Sequence, residues 1–416
     1  MRALDIAIVG YGSAGQALAI ALARDGHRIA VFEQAAQPGP TGAGFLLQPT
    51  GMAALWELGL LDGALAHGVR VNRLYGENAS GRAVMDMAYA DLDSRLFGLG
   101  LQRGALFELM HAALPAAVEI NAGRRIVSVD VDRGHLLDEH GRNHGPFDLI
   151  VAADGAASRL RGLLTEVRLD RPYPWGALWC LLPLRDWPWP DQLRQRYRLA
   201  RQMIGLLPVG SRPGDPTPRM SFFWSLRTDE FAHWPDQDLD AWRRQLLALW
   251  PALGKHVDDL LSHAQLARAS YRDSVLGPRW HRGRLLVLGD AAHAMSPQLG
   301  QGVNMGLLDA LGLRAALRDS SPDSTGQHAS LDGVLAGFAA ARRQHVRAYQ
   351  FWSRWLTPMF QSDLDWAARA RDLLLLPLGR LPGGRQQMLR ILTGTRSGWL
   401  GQWQLPQGFV EALARM

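Results

Sequence analysis

The stretch DIAIVGYGSAGQALAIALARDGHRIAVFEQ, residues 5–34, holds an apolar run, three closely spaced glycines, an alanine-rich run and a second apolar run. This order predicts a strand, a glycine turn, a helix and a second strand. Gly10 permits the tight turn, Gly12 lets a ligand approach the backbone, and Gly15 lets the helix pack closely on the strand. The stretch therefore predicts the start of a Rossmann-like α/β domain.

The same stretch has the features of a dinucleotide site. The helix that begins after Gly12 presents free N–H groups around Ser13 and Ala14 to a phosphate. Glu33 ends the second strand, eighteen residues after Gly15 (33 minus 15), and can accept hydrogen bonds from a ribose diol. A glycine motif alone also occurs in ordinary α/β turns, so its position between a strand and a helix carries the prediction. FAD and NAD both remain open at this point.

A second glycine-rich stretch, LLVLGDAAHAMSPQLGQGVNMGLLDAL over residues 285–311, follows the same plan. Its apolar strand delivers Asp290 to the carboxyl end of the sheet, where open α/β sheets bind ligands. Pro297 stiffens the next loop, while Gly300 and Gly302 keep its surface bare. A helix from about residue 303 would present its positive end to the bound group. The bare glycine surface leaves room for a flat ring, and the positive helix end would stabilise an electron-rich ring that acquires negative charge.

A third motif, DLIVAADGAASRLR, lies between the other two at residues 148–161. It predicts a buried strand followed by a turn that carries Asp154 and Gly155. The alternative interpretation is an ordinary strand end with a capping aspartate.

Together, the three motifs resemble those of the FAD-dependent aromatic hydroxylases. These are the single-component flavoprotein monooxygenases related to para-hydroxybenzoate, salicylate and ubiquinone-precursor hydroxylases. The resemblance spans residues 10–310 in the order of that family. It implies an α/β fold with a Rossmann-like FAD-binding domain, an inserted antiparallel-sheet substrate domain and a C-terminal helical region.

The resemblance assigns cofactor contacts to the second glycine-rich stretch. Asp290 would bond the ribityl chain of FAD. Gly302, Val303 and Asn304 would contact the pyrimidine edge of the flavin through backbone or side-chain atoms. His293 is expected to be a structural residue beside the cofactor, because the matching family position is not the usual proton acceptor.

The resemblance also gives roles to residues elsewhere in the chain. Arg103 would lie near the FAD phosphates and ribityl chain, and Val127 would lie on the strand that meets adenine. Asp154 and Gly155 would touch the pyrophosphate and influence NAD(P)H. Gln48, in a segment that passes near the flavin in the family, is expected to reach the substrate cavity.

These assignments divide the chain into three predicted parts. They are a discontinuous FAD-binding domain of residues 1–75, 98–171 and 273–345, a substrate domain of residues 76–97 and 172–272, and a helical region of residues 346–416.

In the substrate domain, aromatic segments alternate as in an antiparallel sheet. Phe222 and Trp224 share one face of a strand, and Phe223 lies on the other, so only one set can line a cavity. We expect Phe222 and Trp224, together with Pro297, to contact the substrate. The alternative, that all are core residues, stays open.

The implied reaction uses FAD, NAD(P)H and dioxygen to hydroxylate an aromatic or related electron-rich small molecule through a flavin hydroperoxide. No catalytic base can be named from the sequence. One alternative is a flavin-dependent halogenase, although Lys255 is the only lysine and lies far from the early part of the chain. The other alternative is a non-catalytic flavin-binding protein.

Composition limits the remaining classes. Hydrophobic residues make up 47% of the chain and charged residues 20%, which is typical of globular enzymes. The net charge of +6 is spread out, which argues against nucleic-acid binding. Cys180 is the only cysteine, which excludes an intrachain disulfide or a cysteine-rich metal site and favours a cytoplasmic location.

The beginning of the chain leaves no room for a secretory leader, and no apolar run is long enough for a transmembrane segment. The C-terminal region mixes tryptophan and arginine. This pattern allows peripheral membrane contact, but a helical cap or a dimer contact is the commoner interpretation. We expect a monomer or a homodimer.

Overall fold

The structure is a computed structural model, and it describes residues 2–40, 42–164, 166–320, 330–398 and 401–415. The strands are β1 Asp5–Val9, β2 Arg28–Glu33, β3 Gly44–Leu47, β4 Val69–Val71, β5 Arg73–Asn78, β6 Ala83–Ala88, β7 Gly98–Gln102, β8 Glu119–Ala122, β9 Ile126–Asp130, β10 His135–Asp138, β11 Asn143–His144, β12 Leu149–Ala152, β13 Val167–Pro172, β14 Trp175–Pro183, β15 Gln192–Arg198, β16 Gln202–Arg212, β17 Asp215–Arg227, β18 Ala267–Ala269, β19 Arg272–Leu276, β20 His281–Arg282, β21 Leu285–Val287, β22 Arg396–Ser397 and β23 Gly401–Gln402. The helices are α1 Ser13–Arg24, α2 Pro49–Glu57, α3 Leu61–His67, α4 Arg103–Ala112, α5 Leu239–Leu249, α6 Gly254–Val257, α7 Asp290–His293, α8 Gly302–Asp319, α9 Leu331–Phe360, α10 Asp365–Arg380, α11 Gly384–Leu392 and α12 Gln407–Ala414.

A six-stranded sheet forms the nucleotide-binding half, with the order β20-β21-β12-β1-β2-β8. All of its pairings are parallel except that of β20 with β21. The carboxyl ends of β1, β12 and β21 lie side by side, so the loops carrying Gly10, Asp154 and Asp290 meet at one edge of the sheet. The predicted order of strand, glycine turn, helix and strand is confirmed by β1, α1 and β2.

Helices α1 and α8 pack against each other above this sheet. A Cβ atom on either Gly289 or Gly306 would lie 3.2 Å from the Cβ atom of Ala14, so small residues let the helix ends approach. The strands beneath are fully buried at Ile6 and Ile8. Burying such a side chain stabilises the fold by roughly 1.5–3 kcal/mol.

A second, seven-stranded sheet has the order β18-β14-β17-β16-β15-β5-β6. Its pairings are antiparallel except that of β15 with β5. The strands come from residues 73–88 and 175–269, so this sheet is inserted between parts of the first half. The fold class is confirmed, while the exact domain boundaries stay a prediction.

The C-terminal helices begin earlier than expected. Helix α9 runs from Leu331 to Phe360, so the boundary predicted between residues 345 and 346 falls inside one continuous helix. Gly333 and Gly337 weaken the helical signal in its first turns. Helices α10 and α11 follow, and α10 packs against β6 and α9. The first long helix of this region therefore starts at Leu331, while the division into domains stays a prediction.

Within the described ranges, no helix is both long and apolar enough to cross a bilayer. The same residues include no group of three or more histidine, cysteine, aspartate or glutamate side chains suited to holding a metal ion.

Candidate active site

A cavity of about 540 Å³ runs from the first glycine turn to the C-terminal helices. One part of its lining, here called the backbone wall, consists of residues 12–14, Gly155 and residues 297–303. A second part, here called the side-chain wall, consists of Leu74, Val84, Met85, Met87, Leu193, Met203, Phe223, Phe360, Leu375, Leu376 and Met388. The two walls differ in chemistry, because one offers mainly glycine-rich backbone and the other apolar side chains.

The first glycine turn has three glycines with three different requirements. Gly10 has a φ of +104°, and a Cβ atom there would lie 2.4 Å from the carbonyl oxygen of Ala153. A Cβ atom on Gly15 would lie 2.0 Å from the carbonyl oxygen of Gly10. Gly12 differs, since a Cβ atom there would meet nothing within 4 Å. Gly10 and Gly15 are thus required by the fold, whereas Gly12 borders the open cavity.

Glu33 lies where the sequence predicted, at the end of β2. Its carboxylate accepts hydrogen bonds from the backbone N–H groups of Tyr11, at 2.9 Å, and Ala35, at 2.8 Å. The side chain therefore braces the glycine turn. Each carboxylate oxygen has further acceptor capacity, so a contact with a ribose stays compatible with this position.

Arg103 begins α4 and reaches into the cavity. Its guanidinium lies 5.3 Å from the ring centroid of Trp179 and 5.9 Å from that of Phe45. Its Nε atom is buried and has no hydrogen-bond partner among the described residues. Burial lowers the pKa of Arg103, and the negative charge of Asp290 opposes that shift. A buried cation of this kind favours an anionic or strongly accepting ligand.

The loop after β12 carries Asp154 and Gly155. Burial raises the pKa of Asp154, and its Oδ1 atom has no hydrogen-bond partner in the described chain. Gly155 has a φ of +81°, and a Cβ atom there would enter open space. A ligand can therefore lie against Gly155, whereas Asp154 is not part of the cavity lining, so its contact with the pyrophosphate stays a prediction.

Arg161 joins the loops of the backbone wall. Its guanidinium is buried and donates to the carbonyl oxygens of Ala156, at 2.8 Å, and Ala291, at 2.5 Å. It also donates to Asp170 and Ser274, both at 2.6 Å. Because these contacts connect the turn after β12 with the turn after β21, Arg161 fixes their relative position.

The loop after β21 reaches the cavity with Asp290, and residues 297–303 follow. Gly300 has a φ of +62°, and a Cβ atom there would enter open space. A Cβ atom on Gly302 would meet only the carboxylate of Asp290, whose Oδ1 and Oδ2 atoms lie at 3.5 and 4.0 Å. Pro297, Gly302 and Val303 line the cavity as expected, so the surface here is bare enough for a flat ring.

The side chain of Asn304 faces away from the cavity, so its predicted contact with the flavin, through backbone or side-chain atoms, stays untested. Its side chain is fully buried, accepts a hydrogen bond from the N–H of Gln48 at 3.0 Å, and donates to the carbonyl oxygen of Gly300 at 2.9 Å. The side chain therefore connects two loops behind the cavity and does not line it.

Gln48 lines the cavity, as predicted. Its Oε1 atom accepts a 2.7 Å hydrogen bond from the hydroxyl of Tyr89. Its Nε2 atom is buried and without a partner in the described chain. This leaves an oriented amide donor for a bound molecule.

Phe222 and Trp224 do not line the cavity, so the prediction that they contact the substrate is wrong. Both are buried in a separate core, where Trp242 of α5 packs against their rings at centroid distances of 6.3 and 6.2 Å. The opposite face of β17 supplies Ser221 and Phe223 to the cavity. The helix that covers the strand decides which face is inside, and the alternation of residues does not show it.

Tyr271 is a cavity residue that the sequence did not reveal. It lies between β18 and β19, and burial raises the pKa of its hydroxyl to about 12, while the nearby charge of Arg103 opposes that shift. The hydroxyl therefore stays protonated at neutral pH. It can donate or accept a hydrogen bond but does not act as a ready base.

His293 lies outside the cavity lining, in agreement with the structural role expected for it. Its Nε2 atom lies 2.6 Å from Asp309, which also pairs with Arg342 at 2.7 Å. Burial would raise the pKa of Asp309, but the contacts with His293 and Arg342 hold it below its usual value. This buried cluster fixes α8 against α9.

Two other predicted residues lie apart from the cavity. Val127 is 44% exposed on β9 and is not part of the lining, so its proximity to adenine stays a prediction. Lys255 lies on α6 in the substrate half and is also absent from the lining, which removes the one lysine that a halogenase mechanism required.

The residues present fit an FAD molecule. Three buried polar atoms without partners in the described chain belong to cavity residues, namely Gln48 Nε2, Arg103 Nε and Gln301 Oε1. These atoms are donors and an acceptor, as a ligand with carbonyl, imide and phosphate groups requires. A Cβ atom on Gly12, Gly155 or Gly300 would enter open space, and this is the space that such a ligand would occupy.

Comparison with known proteins agrees with this fit. A family model described as an FAD binding domain matches residues 3–330. AqdB1 of Rhodococcus erythropolis, for which 2-heptyl-3-hydroxy-4(1H)-quinolone synthase activity is proposed, is 27% identical over 414 residues, covering 94% of this chain and 96% of that protein. Kynurenine 3-monooxygenase of Xanthomonas campestris pv. campestris (strain 8004) is 28% identical over 382 residues, covering 83% of this chain and 77% of that enzyme.

Among solved structures, Pseudomonas aeruginosa PqsL in complex with 2-aminobenzoylacetate has a TM-score of 0.74 and 25% identity. The match covers 88% of this chain and 99% of PqsL. The fold of the whole chain is therefore shared with flavoprotein monooxygenases.

Proposed function

The chain belongs to the FAD binding domain family and is an FAD-dependent monooxygenase of the aromatic hydroxylase type, and we propose that its substrate is an uncharged aromatic ring carrying an apolar substituent. NAD(P)H and dioxygen are its co-substrates. The apolar composition of the side-chain wall is the observation that carries the substrate proposal.

The cofactor is assigned to the backbone wall. The pyrophosphate would lie at the amino end of α1, beside Gly12, with Glu33 toward a ribose and Arg103 toward the phosphates and ribityl chain. Asp290 would bond the ribityl chain, and residues 297–303 would contact the flavin ring. When bound, FAD accepts electrons from NAD(P)H and activates dioxygen for transfer of one oxygen atom.

The substrate is assigned to the space between the backbone wall and the side-chain wall. Flexible, polarisable methionine side chains come from the edge strand β6 (Met85 and Met87), from β16 (Met203) and from helix α11 (Met388). Such side chains adapt to apolar groups of varied shape. Phe223 and Phe360 add aromatic surface for ring contacts.

The charged side chains in this part of the described lining are already paired. Asp86 accepts both of its 2.7 Å hydrogen bonds from Arg73, and Arg385 donates to Asp91 at 2.7 Å. With Arg103 assigned to the cofactor, an unpaired charge on a substrate would therefore lose its hydration without gaining a free partner in this part of the cavity. This favours an uncharged substituent.

The chain's own contribution to the reaction is orientation and exclusion of water. The Nε2 atom of Gln48 can donate a hydrogen bond to an oxygen on the substrate ring or on the cofactor. The hydroxyl of Tyr271 offers a second polar contact, and the apolar walls keep bulk water from the reacting atoms. The activity proposed for AqdB1 is that of a 2-heptyl-3-hydroxy-4(1H)-quinolone synthase. That quinolone is an aromatic ring with an apolar heptyl substituent, which supports the proposed substrate class for this chain.

A matched substrate panel tests the proposal. NAD(P)H oxidation and hydroxylated product would be measured with 4-alkylphenols of increasing chain length and with 2-alkyl-4-quinolones. We expect kcat/KM to rise by up to about fourfold for each added methylene until the cavity is filled. Hydroxybenzoates of equal size, which carry a carboxylate, are the control. Faster, well-coupled hydroxylation of the carboxylated rings would contradict the proposed substrate class.

The cellular setting is also a proposal. We place the protein in the cytoplasm because Cys180 is its only cysteine and is buried as a free thiol. Whether it acts as a monomer or a homodimer stays a prediction, which light scattering would test.

A further inference from the structure

Helix α10 exposes an apolar face that the proposed function does not use. Trp366 is 68% exposed, Leu373 and Leu374 are 55% and 56% exposed, and Leu378 is 44% exposed. These residues stand at positions i, i+7, i+8 and i+12, which fall on one side of a helix. Leu381, 57% exposed, follows directly after the helix. We call these five residues the α10 face.

The other side of α10 is occupied. Ala367, Ala368, Arg371 and Leu375 are buried, and Leu375, Leu376 and Gly379 line the cavity. The helix is therefore fixed to the protein through one side, and the α10 face points away from it. Contiguous apolar surface of this kind usually marks an interaction site.

The charge around the α10 face identifies the partner. Arg369 and Arg380 are exposed on the same helix. The sequence contains no aspartate or glutamate from residue 373 to residue 410, so Arg380 has no acidic neighbour along the chain on its carboxyl-terminal side. A leucine and tryptophan face beside arginines is the pattern of helices that lie on anionic lipid surfaces. A second copy of this chain would place arginines next to arginines.

We propose that the α10 face binds the surface of a membrane containing anionic lipids. The leucines enter the boundary between headgroups and acyl chains, Trp366 lies at the interface, and the arginines contact lipid phosphates. The protein rests on the membrane and does not span it, which agrees with the lack of a spanning helix in the described ranges. Direct access to membrane-dissolved aromatic substrates is a consequence that rests on the proposed function, but lipid binding itself does not.

The test is co-sedimentation of the purified holoenzyme with vesicles of phosphatidylcholine, with or without phosphatidylglycerol. We expect binding to the anionic vesicles, weaker binding to phosphatidylcholine alone, and weakening at high salt. Combining Leu373→Asp with Leu374→Asp should reduce anionic-vesicle binding by at least about tenfold. Arg380→Gln should reduce it by about fivefold.

The matched control is Leu261→Asp, since Leu261 is 72% exposed but lies outside the α10 face. This variant should bind vesicles like the unmodified protein. Flavin content, and NAD(P)H oxidation in the absence of lipid, should be unchanged in all of these variants, because none of the four positions lines the cavity. Failure of the unmodified holoenzyme to bind anionic vesicles would overturn the proposal. So would a concentration-dependent dimer, detected by light scattering, that Leu373→Asp disrupts, because a second copy would then cover this face.

Discussion

The two walls of the cavity differ in what determines their shape. The backbone wall presents Gly12, Gly155 and Gly300 to open space, so its shape depends on the absence of side chains. The side-chain wall presents methionine, leucine and phenylalanine, so its shape depends on which side chains are there. A wall of backbone suits one invariant ligand, and a wall of flexible side chains suits substrates that differ between related enzymes. The comparison teaches that changes at the two walls should have separable effects.

The largest expected effect comes from removing the support of the backbone wall. Arg161→Met would leave Asp170 with Arg272 as its cationic partner and would break the hydrogen bonds to the carbonyl oxygens of Ala156 and Ala291. We expect the free energy of unfolding to fall by about 3–5 kcal/mol, because these two oxygens lose a charged donor. Urea denaturation of the apoprotein measures this change. The control is Arg159→Met, since Arg159 is exposed two residues away. Equal stability of the two variants would show that Arg161 does not support the wall.

The next effect separates cofactor binding from folding. Gly12 has an extended backbone (φ −77°, ψ −174°) that valine readily adopts, and its Cβ atom would enter open space. Gly12→Val should therefore fold normally and raise the Kd of FAD by about 100-fold, or about 2.7 kcal/mol. Fluorescence titration of the apoprotein with FAD gives the Kd. Gly337→Val serves as the control, because a Cβ atom at this exposed helical position also meets nothing within 4 Å. If a folded Gly12→Val variant bound FAD with unchanged affinity, the assignment of the pyrophosphate to this turn would be contradicted.

A smaller effect, on substrate binding and not on FAD binding, is expected at the side-chain wall. Leu376→Trp adds bulk to the part of the cavity formed by α10. We expect KM to rise about tenfold for the longest alkyl-substituted ring and to change little for the unsubstituted ring, because only the long substituent reaches this wall. Steady-state kinetics with both rings provide the comparison. An equal rise for both substrates would mean that the substituent lies elsewhere.

The smallest effect concerns pH and lies behind both walls. Burial and the charge of Arg342 lower the pKa of His345 to about 3, so the folded state keeps this imidazole neutral while the unfolded state binds a proton below about pH 6.5. Stability should therefore fall as the pH drops below about 6.5, and this group should contribute a loss of about 1 kcal/mol between pH 6.5 and 5.5. His345→Gln should flatten that dependence in urea titrations between about pH 6.5 and 5. An identical slope in the variant would assign the dependence to other groups.

The contrast between the walls also explains what the sequence could predict. Gly10, Gly15 and Asp290 were found because a tight turn, a close helix contact and a strand end impose requirements on neighbouring residues. Because these requirements act between residues that are close in the chain, they appear in the sequence as fixed spacings between particular residue types. Gly155 was placed at a strand end in the same way, while the contact of Asp154 with the pyrophosphate stays a prediction.

The residues of the side-chain wall could not be predicted from the spacing of residues along the sequence. The alternation along β17 separates Phe222 from Phe223, but only the packing of Trp242, twenty residues after Phe222 (242 minus 222), decides which ring is in the core. Tyr271 lies between two strands outside any motif, and Met388 comes from a C-terminal helix. These positions depend on contacts between distant segments, which one sequence does not specify.

The most direct test of the two-wall account combines its two variants with both ligands. The Kd of FAD would be measured for Gly12→Val and Leu376→Trp apoproteins, and the Kd of a long-chain alkylphenol would be measured from the flavin absorption change at saturating FAD. The account predicts that Gly12→Val weakens FAD and leaves the alkylphenol Kd unchanged, whereas Leu376→Trp does the reverse. If either variant weakened both ligands equally, the separation of a cofactor wall from a substrate wall would be contradicted.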